Sequence, residues 1–128
     1  MDPIHQEVRF AAAPSRVYRA LIDSAEFARF SGAPAAISPM IGGVFSCFGS
    51  MVFGRHLELL PDRRIVQAWR IADWPDGVYS IVRFELSAEH PGTRLILDQT
   101  GVPDAVRHHV DPGWHLKYWE PLRKYLEA

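Results

Sequence analysis

Between Arg29 and Arg55 the chain lacks charge altogether. The stretch FSGAPAAISPMIGGVFSCFGSMVFG, Phe30 to Gly54, runs for 25 residues without an acidic or basic side chain. A membrane span would need roughly 20 predominantly apolar residues in helical conformation. This stretch holds five Gly, four Ser and two Pro, which interrupt helices, so a spanning helix is excluded. Cysteine is nearly absent as well. Cys47 stands alone, so no intrachain disulfide can form, and a reducing compartment is expected. The net charge is −1 and there is no basic cluster, which argues against nucleic-acid binding. The start, MDPIHQEVRF, lacks the basic region and apolar run of a secretory signal. Internal repeats, low-complexity tracts and linkers are missing too. These absences point to a soluble, cytoplasmic protein with neither a nucleic-acid nor a membrane partner.

What remains is ordinary globular material. The chain has 128 residues, 48% hydrophobic and 23% charged, which suits a single domain over 1–128 with a real core. Residues 4–11 alternate as a first strand. Pro14 opens a helix striped by Val17, Ala20 and Leu21. Asp23 or Ser24 caps a second short helix, and Gly32 ends it. In the uncharged stretch, VFSCF and MVF read as a hairpin. A Gly-first turn at Gly49-Ser50 suits type II′ and places Phe45 opposite Gly54. Residues 55–60 continue that strand to a Pro61-Asp62 turn. RIVQAWRI, YSIVRFEL and TRLILDQTG give three more half-buried strands, with WPDG as a turn between the first two. Their expected inner faces carry Ile65, Gln67, Trp69 and Ile71; then Ser80, Val82, Phe84 and Leu86; then Leu95, Leu97 and Gln99. At the end, Asp111 and Pro112 start a helix on which Trp114, Tyr118 and Leu122 share a face, and Pro121 should bend it. Strand, two helices, a meander and a long helix argue for an α+β fold with the last helix gripped by a curved antiparallel sheet.

Several side chains are candidates for chemistry. His108, Asp111 and His115, with His109 beside them, are the densest group of possible zinc ligands. Pro112-Gly113 interrupts their spacing, so a solvated helix entry is preferred and no metal or cofactor is assigned. Cys47 lies on a strand without a basic neighbour and reads as an inert buried thiol. Ser46 and Ser50 belong to no nucleophile motif. His56 and Glu58 alternate on one strand face and could act as base and orienter. Gln99, on an inner face, needs hydrogen-bond partners from backbone, water or a ligand. Trp74, in a turn, is either a surface anchor for a partner or a ring folded over the hairpin end.

Four segments carry a resemblance: GGVFSCFG at 42–49, IVQAWRIADWPDG at 65–77, QTGVP at 99–103 and GWHLKYWEPLRKYL at 113–126. Through them the chain resembles the activators of the heat-shock protein 90 ATPase, within the START-like (Bet v-like, polyketide-cyclase-like) helix-grip superfamily. It is most similar to the C-terminal domain of the eukaryotic co-chaperone. The resemblance implies a helix-grip fold of six or seven strands and a non-enzymatic role. That role is to contact a heat-shock protein 90 type chaperone or to hold a small apolar ligand between sheet and helix. The expected cavity lining is Phe45, Trp69, Val82, Phe84, Leu97, Gln99, Trp114 and Tyr118, with the uncharged stretch near the mouth. A Gln99→Leu change should then alter ligand binding without unfolding the domain. The opposing possibility is a cavity filled by the chain's own four Trp, four Tyr and seven Phe. A cyclase- or hydrolase-like enzyme on the same fold is the alternative function.

Overall fold

A computed structural model describes residues 3–127. Met1, Asp2 and Ala128, the ends of the expected 1–128 domain, lie outside the described residues. The architecture is the expected one: a seven-stranded antiparallel sheet curled around a C-terminal helix, with two short helices after the first strand. The sheet order is β1-β7-β6-β5-β4-β3-β2. Its strands are β1 Ile4–Phe10, β2 Ala36–Ile37, β3 Val44–Cys47, β4 Val52–Leu60, β5 Arg64–Ile71, β6 Ser80–Glu89 and β7 Gly92–Thr100. β1 alternates strictly between buried and exposed positions, because successive side chains leave a strand on opposite faces.

The two N-terminal helices form for local reasons. In α1, Pro14–Ile22, proline occupies the first position and Val17, Tyr18, Ala20 and Leu21 are buried. Asp23 caps α2, Ser24–Ser31, by accepting the Glu26 amide at 2.9 Å, and Gly32 ends it at φ 72°. That left-handed conformation favours glycine.

The β3–β4 hairpin has the expected register, with Phe45 opposite Gly54. A Cβ at Gly54 would collide with the Ala68 carbonyl and lie 3.0 Å from the Phe45 ring. The glycine is therefore required, and the aromatic ring covers it. The turn is not type II′. Gly49 and Ser50 have φ of 62° and 75°, and the Met51 amide donates to the Phe48 carbonyl at 3.2 Å. Two positive central φ values are the type I′ pattern, whose twist matches the strands. Phe48 is also left-handed, at φ 55°.

The last helix starts earlier than expected. After a 3₁₀ turn at Asp104–Val106, α3 runs Arg107–Gly113, so Asp111 caps nothing and Pro112 lies inside the helix. The next six residues, Trp114–Trp119, wind as a π-helix before α4, Glu120–Leu126. The Glu120 amide donates five residues back, to the His115 carbonyl. Prolines at 112 and 121 each remove a donor from the ordinary ladder, and the wider winding falls between them. Glutamine ties this helix to β1: Trp119 Nε1–H donates to Gln6 Oε1 at 2.7 Å, and Gln6 Nε2 donates to the Asp111 carbonyl and Oδ1 at 2.8 and 2.7 Å.

Candidate binding site

Seven of the eight expected cavity residues lie in one buried hydrophobic core and Gln99 is buried as well, but they do not surround one space. Trp114 Nε1–H donates to Gln99 Oε1 at 2.8 Å, Gln99 Nε2 donates to Ser80 Oγ at 3.0 Å, and Ser80 Oγ donates to the Trp69 carbonyl at 2.8 Å. Trp69 Nε1–H donates to the Tyr118 hydroxyl at 3.3 Å. Gln99 is thus bonded to protein on both ends of its amide. Phe45, Phe84 and Tyr118 border an inner void of only 10 Å³, about the room one water needs. Val82, Leu97 and Gln99 line neither this void nor the larger pocket described next.

The larger space, 270 Å³, opens at one end of the sheet, between the β3–β4 turn and the helix. Trp69, Trp114 and Tyr118 form part of its wall, and the uncharged stretch supplies Phe48, Met51 and Val52. The helix presents two adjacent stripes at spacing four: Val110, Trp114 and Tyr118, beside His109, Gly113 and Lys117. Sequence reasoning missed the second stripe because it started the helix at Pro112. Gly113 has ordinary helical dihedrals, φ −58° and ψ −32°, and a Cβ there would meet nothing within 4 Å. Neither conformation nor packing requires this glycine. Gly113→Ala should therefore raise stability by about 1 kcal/mol through helix propensity. Urea denaturation would check it, and a loss of stability would contradict the open geometry.

The catalytic candidates are separated. His56 is fully buried, stacked on Phe45 at 5.5 Å, with Nδ1 3.5 Å from Gln67 Nε2. A β-bulge between His56 and Glu58 shifts the register, so Glu58 leaves His56 and pairs with Arg64 at 3.2 Å. The expectation that the two share a face is corrected by that extra residue. Cys47 is buried, and burial pushes its thiol up to about 12. Ser46 Oγ donates to Ser50 Oγ at 3.0 Å. The His108 and His109 rings lie 4.0 Å apart, tilted by 39°, while Asp111 faces Gln6. Among the described residues, no group of three or more His, Cys, Asp or Glu is arranged to hold a metal. Trp74 is not a surface anchor. It is 4% exposed and packs edge-on against Trp69 at 5.8 Å, because the WPDG turn folds its ring over the sheet end.

Burial pushes His56 below the ordinary imidazole range, partly offset by the Ser38 backbone. Its folded form resists protonation, so the unfolded chain binds more protons as pH falls, and stability is lost in that direction. The loss begins as pH drops through the unfolded value of 6.5. Urea midpoints measured from pH 7 to 5 should fall for the wild type and fall less for His56→Asn. Parallel curves would contradict this.

The outer face of the sheet carries part of the exposed apolar surface; Leu116 on the helix and Met51 at the pocket carry more of it. One cross-strand row reads Val44, Arg55, Ala68, Ile81. Val44 is 55% exposed and Ile81 43%. Met40 and Ile41, in the loop before β3, are 68% and 66% exposed. A shallow depression floored by Gly54 and Ala68 and flanked by Val44, Phe53 and Tyr79 lies along it. Among the described residues, no helix is long and apolar enough to cross a membrane.

Comparison with known proteins agrees with this geometry. The family profile "Activator of Hsp90 ATPase homolog 1-like protein" matches residues 11–127. The human "Activator of 90 kDa heat shock protein ATPase homolog 1" is 26% identical over 115 residues, 90% of this chain and 34% of the relative. A Schizosaccharomyces pombe protein is 33% identical over 120 residues, 94% of this chain and 36% of that one. The chain thus spans about a third of the length of the curated relatives it matches. Among solved structures, an HSP90 activator from Plasmodium falciparum superposes with a TM-score of 0.88 at 25% identity, over 98% of this chain and 95% of that one. Aha1 from Colwellia psychrerythraea, solved as a dimer, shares the fold at a TM-score of 0.85 and 15% identity, over 100% of this chain and 98% of that one. With the profile running from the end of β1 through the gripped helix, the chain belongs to the Activator of Hsp90 ATPase homolog 1-like family.

Proposed function

We propose that this domain is a non-enzymatic co-chaperone module that docks on an Hsp90-class ATPase through the outer face of its sheet. The observation that carries the reading is where the uncharged stretch ends up. Met40, Ile41 and Val44 are exposed rather than buried; Val44 shares the outer face with Ile81 and Tyr79, and Met40 and Ile41 stand in the loop that leads into β3. Clustered exposed apolar side chains mark protein–protein contact sites. Family membership supplies the partner class, because relatives are described as activators of the 90 kDa heat-shock protein ATPase. Those relatives are far longer than the match, so docking is the activity assigned here, and full stimulation of turnover is not. A cytosolic setting goes with such a partner and with an unpaired thiol.

The test uses Ile41→Asp with Val44→Asp. Binding to the host's Hsp90, read by titration calorimetry, should weaken at least about tenfold, equivalent to about 1.4 kcal/mol. The melting transition should stay in place, since both side chains are exposed. Unchanged binding by the double variant would contradict the docking face.

A second reading is favoured by the 270 Å³ pocket: a small apolar ligand held between the hairpin turn and the helix. The volume sits just below the usual range of about 300–1,000 Å³ for ligand sites. The enzyme alternative lacks a comparable supporting observation, since His56 and Glu58 face different ways.

A further inference from the structure

Two irregularities of the backbone meet at the 270 Å³ pocket, beside a glycine that neither packing nor conformation requires. Phe48, Gly49 and Ser50 form a left-handed run at its hairpin wall. Left-handed non-glycine residues are unfavourable and gather at functional sites. The helical wall winds as a π-helix from Trp114 to Trp119, a geometry frequent at such sites. Immediately before the π-helix stands Gly113, which weakens a helix without being needed for packing or conformation, and which keeps the pocket open.

The pocket's chemistry is equally one-sided. Its wall is built mainly from Phe48, Met51, Trp69, Ile71 and Trp114. No carboxylate lines it, and its cationic or potentially cationic side chains are Lys117 and His109, both exposed on the helix. Lys117 forms no salt bridge among the described residues. The Trp69 and Tyr118 polar atoms are already joined to each other. An apolar body therefore has a place, and a negative head group has an unused cation beside it.

We infer that the pocket binds a small amphiphile with an apolar chain and an anionic head, the head paired with Lys117. This rests on the ligand reading above and goes beyond it by naming the head-group charge and its partner. Decanoate, decyl phosphate and decanol share a chain and differ in the head. Each would be titrated into the full chain, with amide and indole NMR shifts as the readout. At least one anionic probe should bind tenfold or more tightly than decanol, shifting the Trp69 and Trp114 indoles. Preference between the two anions would distinguish a fatty acid from a phosphate ester. Lys117→Met should bring the anions down to the level of decanol. Gly113→Leu should abolish binding of all three probes while the melting temperature holds or rises, because its side chain enters open space.

Two failures are distinguishable. If no probe shifts the indoles up to millimolar concentration, the ligand reading itself falls, and this inference with it. If decanol binds as tightly as both anions, or Lys117→Met leaves the preference intact, the apolar site stands and the anionic head is wrong. Undiminished binding by a folded Gly113→Leu variant would place the ligand elsewhere and overturn the inference.

Discussion

Arg70→Met should lower the unfolding free energy by about 3 kcal/mol, and Arg70→Lys should recover little of it. Arg70 is 5% exposed. Its guanidinium donates to four carbonyls of the β5–β6 connection: Pro75 at 2.8 Å, Val78 at 3.2 Å, Ala72 at 3.1 Å and Trp74 at 2.5 Å. Its plane also lies 5.4 Å from the Phe53 ring and 5.6 Å from Tyr79. No carboxylate shares the site among those partners, so peptide dipoles solvate the charge. Methionine keeps much of the volume and leaves the carbonyls without a donor. Lysine keeps the charge, but its point-like ammonium cannot reach four acceptors spread around a planar fork. Charge-assisted hydrogen bonds are each worth about 1.5–3 kcal/mol. The connection sits at the sheet end, where water can replace part of the loss, which is why the expected figure is far below the sum. Urea denaturation checks it. A cost under about 1 kcal/mol would mean the loop holds itself and Arg70 is incidental. Because Trp74 of this loop packs edge-on against Trp69 of β5, near-ultraviolet circular dichroism should register the loosening as well.

The second large effect belongs to Gln99→Leu, which should cost about 2 kcal/mol in the absence of any ligand. Leucine is apolar, branches one carbon earlier than glutamine, and removes the acceptor of the Trp114 indole N–H. Trp114 is 2% exposed, so the orphaned donor finds no water. Ser80 keeps its donation to the Trp69 carbonyl, which limits the damage to one side of the chain of bonds. A double-mutant cycle with Trp114→Phe should show coupling of about 1 kcal/mol, because phenylalanine has no N–H left to strand. If Gln99→Leu leaves stability unchanged and alters only ligand binding, the amide's task is ligand contact and the internal network is secondary.

Much of the fold was legible because its signals are local. The alternation in YSIVRFEL and TRLILDQTG fixed their inner faces, and every inward residue named there is buried. The register of Phe45 against Gly54 followed from a symmetric turn, even though the turn type did not. Type I′ and type II′ place the same residues opposite one another, and Ser50 in a left-handed conformation leaves no compositional mark. The helix start failed for a related reason. Asp111-Pro112 is a strong initiation signal, and nothing in RHHV announces that the helix is already under way. The candidate site suffered most. The β-bulge at Leu57 turns Glu58 away from His56, and bulges have no sequence signature here. Trp74 looked like an anchor because it occupies a turn, yet the Arg70 clamp pulls that turn onto the sheet. The pocket wall needed His109, Gly113 and Lys117 in one helical stripe, which depends on where the helix begins.

In the proposed function the outer sheet face docks on an Hsp90-class chaperone. The most direct measurement is an NMR titration of the isotope-labelled domain with the full-length chaperone from the same host. The account predicts that amide signals of Met40 to Val44, Tyr79 and Ile81 broaden first, that Trp69 and Trp114 indoles in the pocket stay put, and that Ile41→Asp with Val44→Asp abolishes the broadening. Broadening confined to the helix and pocket, or none at saturating chaperone, would contradict it.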